Sequence, residues 1–281
     1  GNINMVVDNF KFELISMFPK NNYLSGIPPL ETSFSAKGSL SELELEDLKV
    51  SNAFLKLFAN LNVKNLFSAG SLKVKLFTNS LNINIDELRK INSLPRQVKE
   101  NFRKISNLNL KGTSTFSLND FEFDLFSKNK WGKFSTKGRL GLGVFSKTNP
   151  DKSFQFEGNI KNLDFSYLIN KNQKIKLSTE YNFSGSFKSL NSPNFYWTLN
   201  NMTLESKNII VDKINLNGRI EKLELRNNLN IDSNLLNLKS DFLADLNQKK
   251  TKITLLANID KIDLSCSGLK SGSKKLEFNG V

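Results

Sequence analysis

The groups on this chain that could do chemistry are carboxylates, lysines and arginines, because it contains no histidine and a single cysteine, Cys266. Histidine is the usual proton-transfer group near neutral pH and a common metal ligand, so its absence removes most triad, zinc and general-base arrangements. One cysteine forms no intrachain disulfide. Carboxylate chemistry remains open, but Glu42, Glu44 and Glu46 recur at every second residue, the pattern of a solvated strand face. No enzyme activity, metal or cofactor is expected. The residue most able to bind anything is phenylalanine, present 23 times against four tyrosines and two tryptophans. That balance speaks for apolar contact over the stacking of sugars or bases.

Lys plus Arg number 40 and Asp plus Glu 27, a net charge of +13. Such an excess suits an anionic partner, either nucleic acid or lipid headgroups. The cations are scattered, however, with only short clusters at Lys249, Lys250 and Lys252 or at Lys274 and Lys275. Abundant Lys, Asn, Ile and Phe also suit an AT-rich genome, which raises the charge without selection for binding, and nucleic acid is not expected as a partner. No run reaches 18 apolar residues, so no membrane-spanning helix is expected, and any anchor or targeting segment belongs outside these residues.

The elements that must position the phenylalanines are strands. A unit of the form Φ-x-Φ-x-G-x-Φ-x-x-Φ-x-Φ, with Φ apolar, appears as FQFEGNIKNLDF (154–165) and INLNGRIEKLEL (214–225). The frame also fits FSAKGSLSELEL (34–45) and, with Ala257 for glycine, ITLLANIDKIDL (253–264), while YNFSGSFKSL (181–190) fits as far as it goes. Partial units at both ends lead us to expect an interior piece of a longer repetitive protein. Phe154, Phe156 and Ile160 share one strand face, as do Ile214, Leu216 and Ile220. The next apolar pair is one residue out of phase, so a bulge or corner must return Leu163 and Phe165, or Leu223 and Leu225, to the same side. Glycine then sits where a side chain would obstruct the bend or a closely approaching neighbour.

Three segments follow. Residues 1–84 read as strands and turns. In 85–106 the period changes, with Leu94, Val98, Phe102 and Ile105 at helical spacing, Ser93 as N-cap and Pro95 in the first turn. This predicts one short amphipathic helix near 86–105, covering a sheet edge or groove end, or else docking a partner or a membrane surface. From 107 to 281 the strand period returns, with glycines too unevenly spaced for a fixed-length coil. The expected fold is all-β, a long meandering curled sheet of on the order of 16 to 20 strands with one apolar and one polar face. Periodicity alone leaves open whether the sheet closes over a filled core or stays a solenoid-like apolar trough.

The segments LPRQVKENFRKISNLNLKGTSTFSLNDFEFDL, FQFEGNIKNLDFSYLINKNQKIKLSTEYNFSGS and DKINLNGRIEKLELRNNLNIDSNLLNLKSDFLADL, followed by NIDKIDLSCSGL, resemble in order the TamB-like (translocation and assembly module) proteins of the AsmA-like group in Bacteroidetes-type bacteria. The resemblance covers 94–268 and is looser over 1–93. It implies a β-taco trough in a periplasmic, inner-membrane-anchored protein, carrying phospholipid toward the outer membrane with an outer-membrane barrel partner of the assembly-factor type. It supplies no catalytic residues. The membrane helix and the C-terminal region typical of the family are not found in these residues, so membrane contact is expected through parts outside them.

On the trough reading, the inward alternates expected to line a lipid groove are Phe116, Phe121, Phe123, Phe134, Phe154, Phe156, Phe165, Phe183, Phe187, Leu216, Leu223 and Leu225. Ordinary core packing explains each of them equally well. Lys37, Lys111 and Lys137, beside their glycines, are expected at the rim, where headgroup phosphates would meet them. A function of another class is a scaffold for outer-membrane barrel assembly, pairing an exposed edge strand with an incoming segment. Carbohydrate or nucleic-acid binding is a third, disfavoured by the aromatic balance.

Overall fold

Alternating sequence becomes strand through almost all of the computed structural model, which describes residues 2–12, 27–39, 41–91, 106–141, 152–164, 175–187, 193–206, 209–246 and 252–263. The strands are β1 (Asn2–Phe12), β2 (Leu30–Ser39), β3 (Glu42–Ser51), β4 (Leu55–Lys64), β5 (Lys73–Asn84), β6 (Asn107–Ser117), β7 (Asp120–Asn129) and β8 (Gly132–Gly141). They continue as β9 (Ser153–Asp164), β10 (Lys176–Phe187), β11 (Pro193–Ser206), β12 (Ile209–Glu221), β13 (Glu224–Asp232), β14 (Leu236–Asp245) and β15 (Lys252–Ile262). All 15 form one antiparallel sheet in sequence order, with no crossover and no closure into a barrel. The chain divides into two compact units inside β8, one of the described residues up to Ser135 and the other from Thr136 onward.

Between β5 and β6 the strand period stops, and one helical turn, α1 (Ile85–Leu88), follows β5. The Asn84 side chain caps it by accepting the Glu87 N–H at 3.2 Å, and Lys90 pairs with Glu87 at 2.6 Å. Ile85 and Ile91 are buried, and the turn packs on β5 and β6. The rest of the expected helix, with Ser93, Leu94, Pro95, Val98, Phe102 and Ile105, lies outside the described residues.

What organises the sheet is a change of parity within strands. In β9 the apolar set is Phe154, Phe156 and Ile160, and then Leu163; Lys161 and Asn162 together oppose Ser178 of β10. This is the bulge that the repeat requires: one extra residue flips every later side chain to the other face, so apolar residues shifted by one position return to the same side. The same device recurs across the first unit. In β1, Val7 is followed by Phe10 across Asp8 and Asn9, and in β3, Leu45 is followed by Leu48 across Glu46 and Asp47. In β5, Thr78 is followed by Leu81. In the second unit Asn201 of β11, Lys213 of β12 and Asp260 of β15 sit at equivalent shifts.

Asn9, Asp47, Asn162, Asn201 and Lys213 have φ between 49° and 53°, the left-handed region that Asn and Asp tolerate better than most residues. The bulge also takes backbone groups out of the ladder, and neighbouring side chains receive them. The Asp47 N–H donates to Asn60 Oδ1 at 3.1 Å, the Asn162 N–H to Ser178 Oγ at 2.9 Å and the Asn201 N–H to Asn215 Oδ1 at 3.1 Å. Beside them the buried Thr179 hydroxyl donates to the Asn200 carbonyl at 3.1 Å, and Thr32 donates to the Lys49 carbonyl at 3.0 Å. The bulges are therefore satisfied joints and not defects.

The same twelve-residue spelling folds in a second way. In 214–225 the odd step is a two-residue hairpin: Glu221 pairs with Glu224, and Lys222 and Leu223 both have positive φ, 50° and 62°. In 34–45 the strand likewise ends at Ser39 and the next begins at Glu42. Leu225 returns to the apolar side opposite Ile220, whereas Leu223 sits in the turn.

Asn162→Gly should leave stability nearly unchanged, because it keeps the bulge amide and fits φ 53°. Asn162→Val should cost about 1–2 kcal/mol in urea unfolding, since a β-branched side chain resists the left-handed region. Equal loss in both variants would mean that the Asn side chain, and not its backbone, holds the joint.

Candidate apolar binding face

Strand register brings residues distant in sequence into rows. In the second unit, Phe154, Gly185, Phe195, Ile220, Leu225 and Ala244 lie opposite one another in turn. The next row runs Phe156, Phe183, Trp197, Gly218, Asn227 and Phe242, and a third holds Gly158, Tyr181, Leu199, Leu216 and Leu229. Of the seven aromatic residues in these rows, six are joined by ring contacts into one patch. Phe154 lies 5.5 Å from Phe156 and 5.7 Å from Phe195; Phe183 stacks on Phe195 at 6.1 Å and 8°; Tyr181 lies 5.6 Å from Phe183, and Phe195 lies 5.2 Å from Trp197. Centroid separations of this size are those of favourable offset and tilted pairs, each contributing roughly 0.5–1.5 kcal/mol beyond area burial.

The repeat glycines are the seats on which these rings lie. A Cβ added at Gly185 would stand 2.7 Å from Phe154 Cζ, and one at Gly218 would overlap both the Trp197 ring and the Asn227 side chain. Glycine lets a cross-strand ring lie flat over the backbone, and the ring covers the gap that glycine leaves. At Gly185 and Gly218 the need is for a closely approaching ring, whereas Gly38 is required by its own backbone, with φ at 124° and room for no Cβ beside the Glu42 carbonyl.

In the first unit the equivalent rows are Ile3, Gly38, Leu43, Val63, Val74, Phe116 and Phe121, and Met5, Ala36, Leu45, Leu61, Leu76, Ser114 and Phe123. Phe121 and Phe123 are 5.7 Å apart, and Phe134 stacks on Trp131 at 6.1 Å. The sheet is not closed into a barrel, and its phenylalanines are not withdrawn from solvent. No phenylalanine with a described side chain is buried, Phe116 is 39% exposed, and the largest side chain wholly withdrawn from solvent is that of Ser127. Within each unit the strands that pack on one another are neighbours in the sheet. Tightly interlocked packing would bury these rings, whereas each stays partly exposed.

Of the expected groove residues, Phe154, Phe156, Phe183, Leu216 and Leu225 therefore share the aromatic face of the second unit, and Phe116, Phe121 and Phe123 that of the first. Phe134 joins Trp131. Leu223 does not point along a strand but occupies the hairpin turn, where its carbonyl accepts the Leu246 N–H at 2.8 Å. Phe165 lies outside the described residues, as does the side chain of Phe187.

The rim lysines are placed differently from expectation. Each precedes its glycine directly, so a strand that puts the glycine on the apolar face turns the lysine to the other. Lys37 projects among Glu44 and Glu46, 3.8 Å and 2.5 Å away, and the hydrogen bond to Glu46 raises its pKa. Lys137 pairs with Glu157 at 2.7 Å, and the Lys111 ammonium lies 5.2 Å from the Phe126 ring centroid. All three belong to the polar face.

Phe195 and Trp197 complete the aromatic patch and escape the sequence pattern, while Tyr181 opens the repeat unit 181–190 but is not among the expected groove residues. The run Phe195-Tyr196-Trp197 splits between faces, and only register shows Phe195 meeting Gly185 and Trp197 meeting Gly218. No protein-family model, no curated protein and no solved structure matches this chain.

Gly218→Ala should lift the Trp197 ring, shifting its fluorescence in a Trp131→Phe background and costing about 1–3 kcal/mol as an overpacked site. Gly70→Ala, whose added Cβ would meet nothing within 4 Å, should change neither. An unmoved Trp197 spectrum would show that the ring does not rest on Gly218.

Proposed function

We propose that this chain is a segment of a conduit that carries phospholipid acyl chains along an apolar β face, between inner and outer membranes, in a periplasmic protein of the AsmA-like kind. The observation that carries the reading is the partly exposed aromatic patch from Phe154 to Trp197, supported by apolar residues that resume on the same face after the bulges of β9 and β11. Each methylene moved from water onto such a face gains about 0.8 kcal/mol, with no preferred register along the chain. Rings lying flat over glycines make the surface smooth, which suits a ligand that slides and does not lodge. The family resemblance points to the same ligand class.

A second reading is a scaffold for outer-membrane barrel strands, favoured by the sheet edges. Val6 of β1 is 77% exposed and Ile253 of β15 61%, and among the described residues each of these strands has a single neighbour in the sheet. An apolar, two-sided edge can accept an added strand through its backbone.

A photocrosslinking residue at position 183 should form phospholipid adducts in cells, while one at Asn182, on the opposite face, should form few. Protein adducts concentrated at Leu256 of β15, with none to lipid at 183, would replace the conduit by the scaffold. Equal lipid labelling at 182 and 183 would sink the conduit reading.

A further inference from the structure

The polar face of the second unit carries a groove of about 650 Å³ that the apolar face does not explain. Register builds it from two rows. One runs Tyr196, Arg219, Arg226, Leu243 and Thr254 across β11 to β15; the other runs Thr198, Asn217, Asn228, Asp241 and Leu256. Arg219 and Arg226 are thus directly opposite each other, an arrangement of like charges that costs stability unless an anion lies between them.

The nearby carboxylates are Glu221 and Glu224, a pair on the same face along β12 and β13 of which Glu221 also acts on the Arg226 charge, and Asp241; among the described residues none forms an ion pair with Arg219. Glu224 receives Arg226 Nε at 2.6 Å and Nη2 at 2.5 Å through one oxygen, and Asp241 is held by the Asn228 amide at the far corner. Among the described residues Arg219 has no ion pair or hydrogen bond, and it lines the groove opposite Tyr196, which is 41% exposed. Leu243 and Leu256 stand exposed along the opposite wall, although they belong to the polar face.

We infer that this groove binds a phosphate ester attached to an apolar body, with the phosphate between the Arg219 and Arg226 guanidinium groups. A tetrahedral dianion has enough oxygens for two planar forks, whereas a carboxylate satisfies one. The Tyr196 hydroxyl and the Asn217 amide flank the anion, and Leu243 and Leu256 take the apolar portion. Because the groove lies on the face opposite the aromatic patch, it stands or falls apart from the conduit.

The test is calorimetric titration of the full chain with inorganic phosphate, with glycerol phosphate and with a dihexanoyl phosphatidic acid below its micelle concentration. The short-chain lipid should bind saturably and at least about tenfold more tightly than either soluble phosphate. Arg219→Gln should weaken it about tenfold or more, and Leu256→Ser should weaken the lipid alone. Lys137→Gln, elsewhere on the polar face, should change nothing. Binding that survives in Arg219→Gln, or that falls equally in Lys137→Gln, would be general charge attraction and would overturn the assignment. Absence of saturable binding by all three probes would overturn it as well. Preference for glycerol phosphate over the lipid would remove the apolar portion and with it the proposal.

Discussion

A strand has a side-chain period of two, so an apolar face survives along a long strand only if every odd step in the pattern is absorbed by the backbone. This constraint governs the molecule. Val7 to Phe10, Leu45 to Leu48, Thr78 to Leu81, Ile160 to Leu163, Leu199 to Met202 and Ile259 to Ile262 are all odd steps, and each coincides with a shift of register. In the first unit the bulged strands alternate, β1, β3 and β5, each against a regular neighbour, whereas the ladders β12–β13 and β13–β14 run without a shift. Asn and Asp at positive φ make the joints, and Asn60, Ser178 and Asn215 on the adjoining strands close them. Bulges also increase local twist, which a long antiparallel sheet needs in order not to lie flat.

A second constraint follows from the single layer. Among the described residues strands pack chiefly on their neighbours in the sheet, so stability is close to a sum of strand-to-strand terms, as in other quasi-one-dimensional folds. Apolar surface left half-exposed would ordinarily be a liability. Here it is organised: rings are matched to glycines across strands, and the polar face is laced with exposed pairs such as Lys64 with Glu42 at 2.8 Å and Lys176 with Glu205 at 3.1 Å. Exposed pairs of this kind contribute little to stability. Their effect is on solubility and register, since opposite charges directly across a ladder disfavour a slipped pairing.

Much of this was legible in the sequence, and the failures have physical causes. Alternation gave the all-β class and the two faces, and the parity break in FQFEGNIKNLDF required a bulge that the structure places at Asn162. The identical pattern in INLNGRIEKLEL concealed a hairpin, because an odd step is met equally well by a bulge or by a two-residue turn. Lys222 and Leu223 lack the Asn-Gly signal that would announce the turn. The lysines beside the glycines were misplaced for the simplest reason, that adjacent residues on a strand face opposite ways. The aromatic patch was half legible: Phe154, Phe156 and Phe183 show in their own repeats, while Phe195 and Trp197 acquire meaning only from the glycines they cover on neighbouring strands.

The two faces place different demands on a ligand, and this bears on how such a sheet works. On the aromatic face nothing selects one position along the chain over another, since flat rings and aliphatic side chains offer hydrocarbon a nearly uniform surface. Uniformity lowers barriers between successive positions, a property of transport and not of storage. On the polar face, by contrast, Arg219 and Arg226 face each other at one place only, and their planar donors fix both position and orientation. On the readings proposed above, the aromatic side would carry hydrocarbon and the paired arginines would hold a phosphate, with the backbone ladder between the two faces.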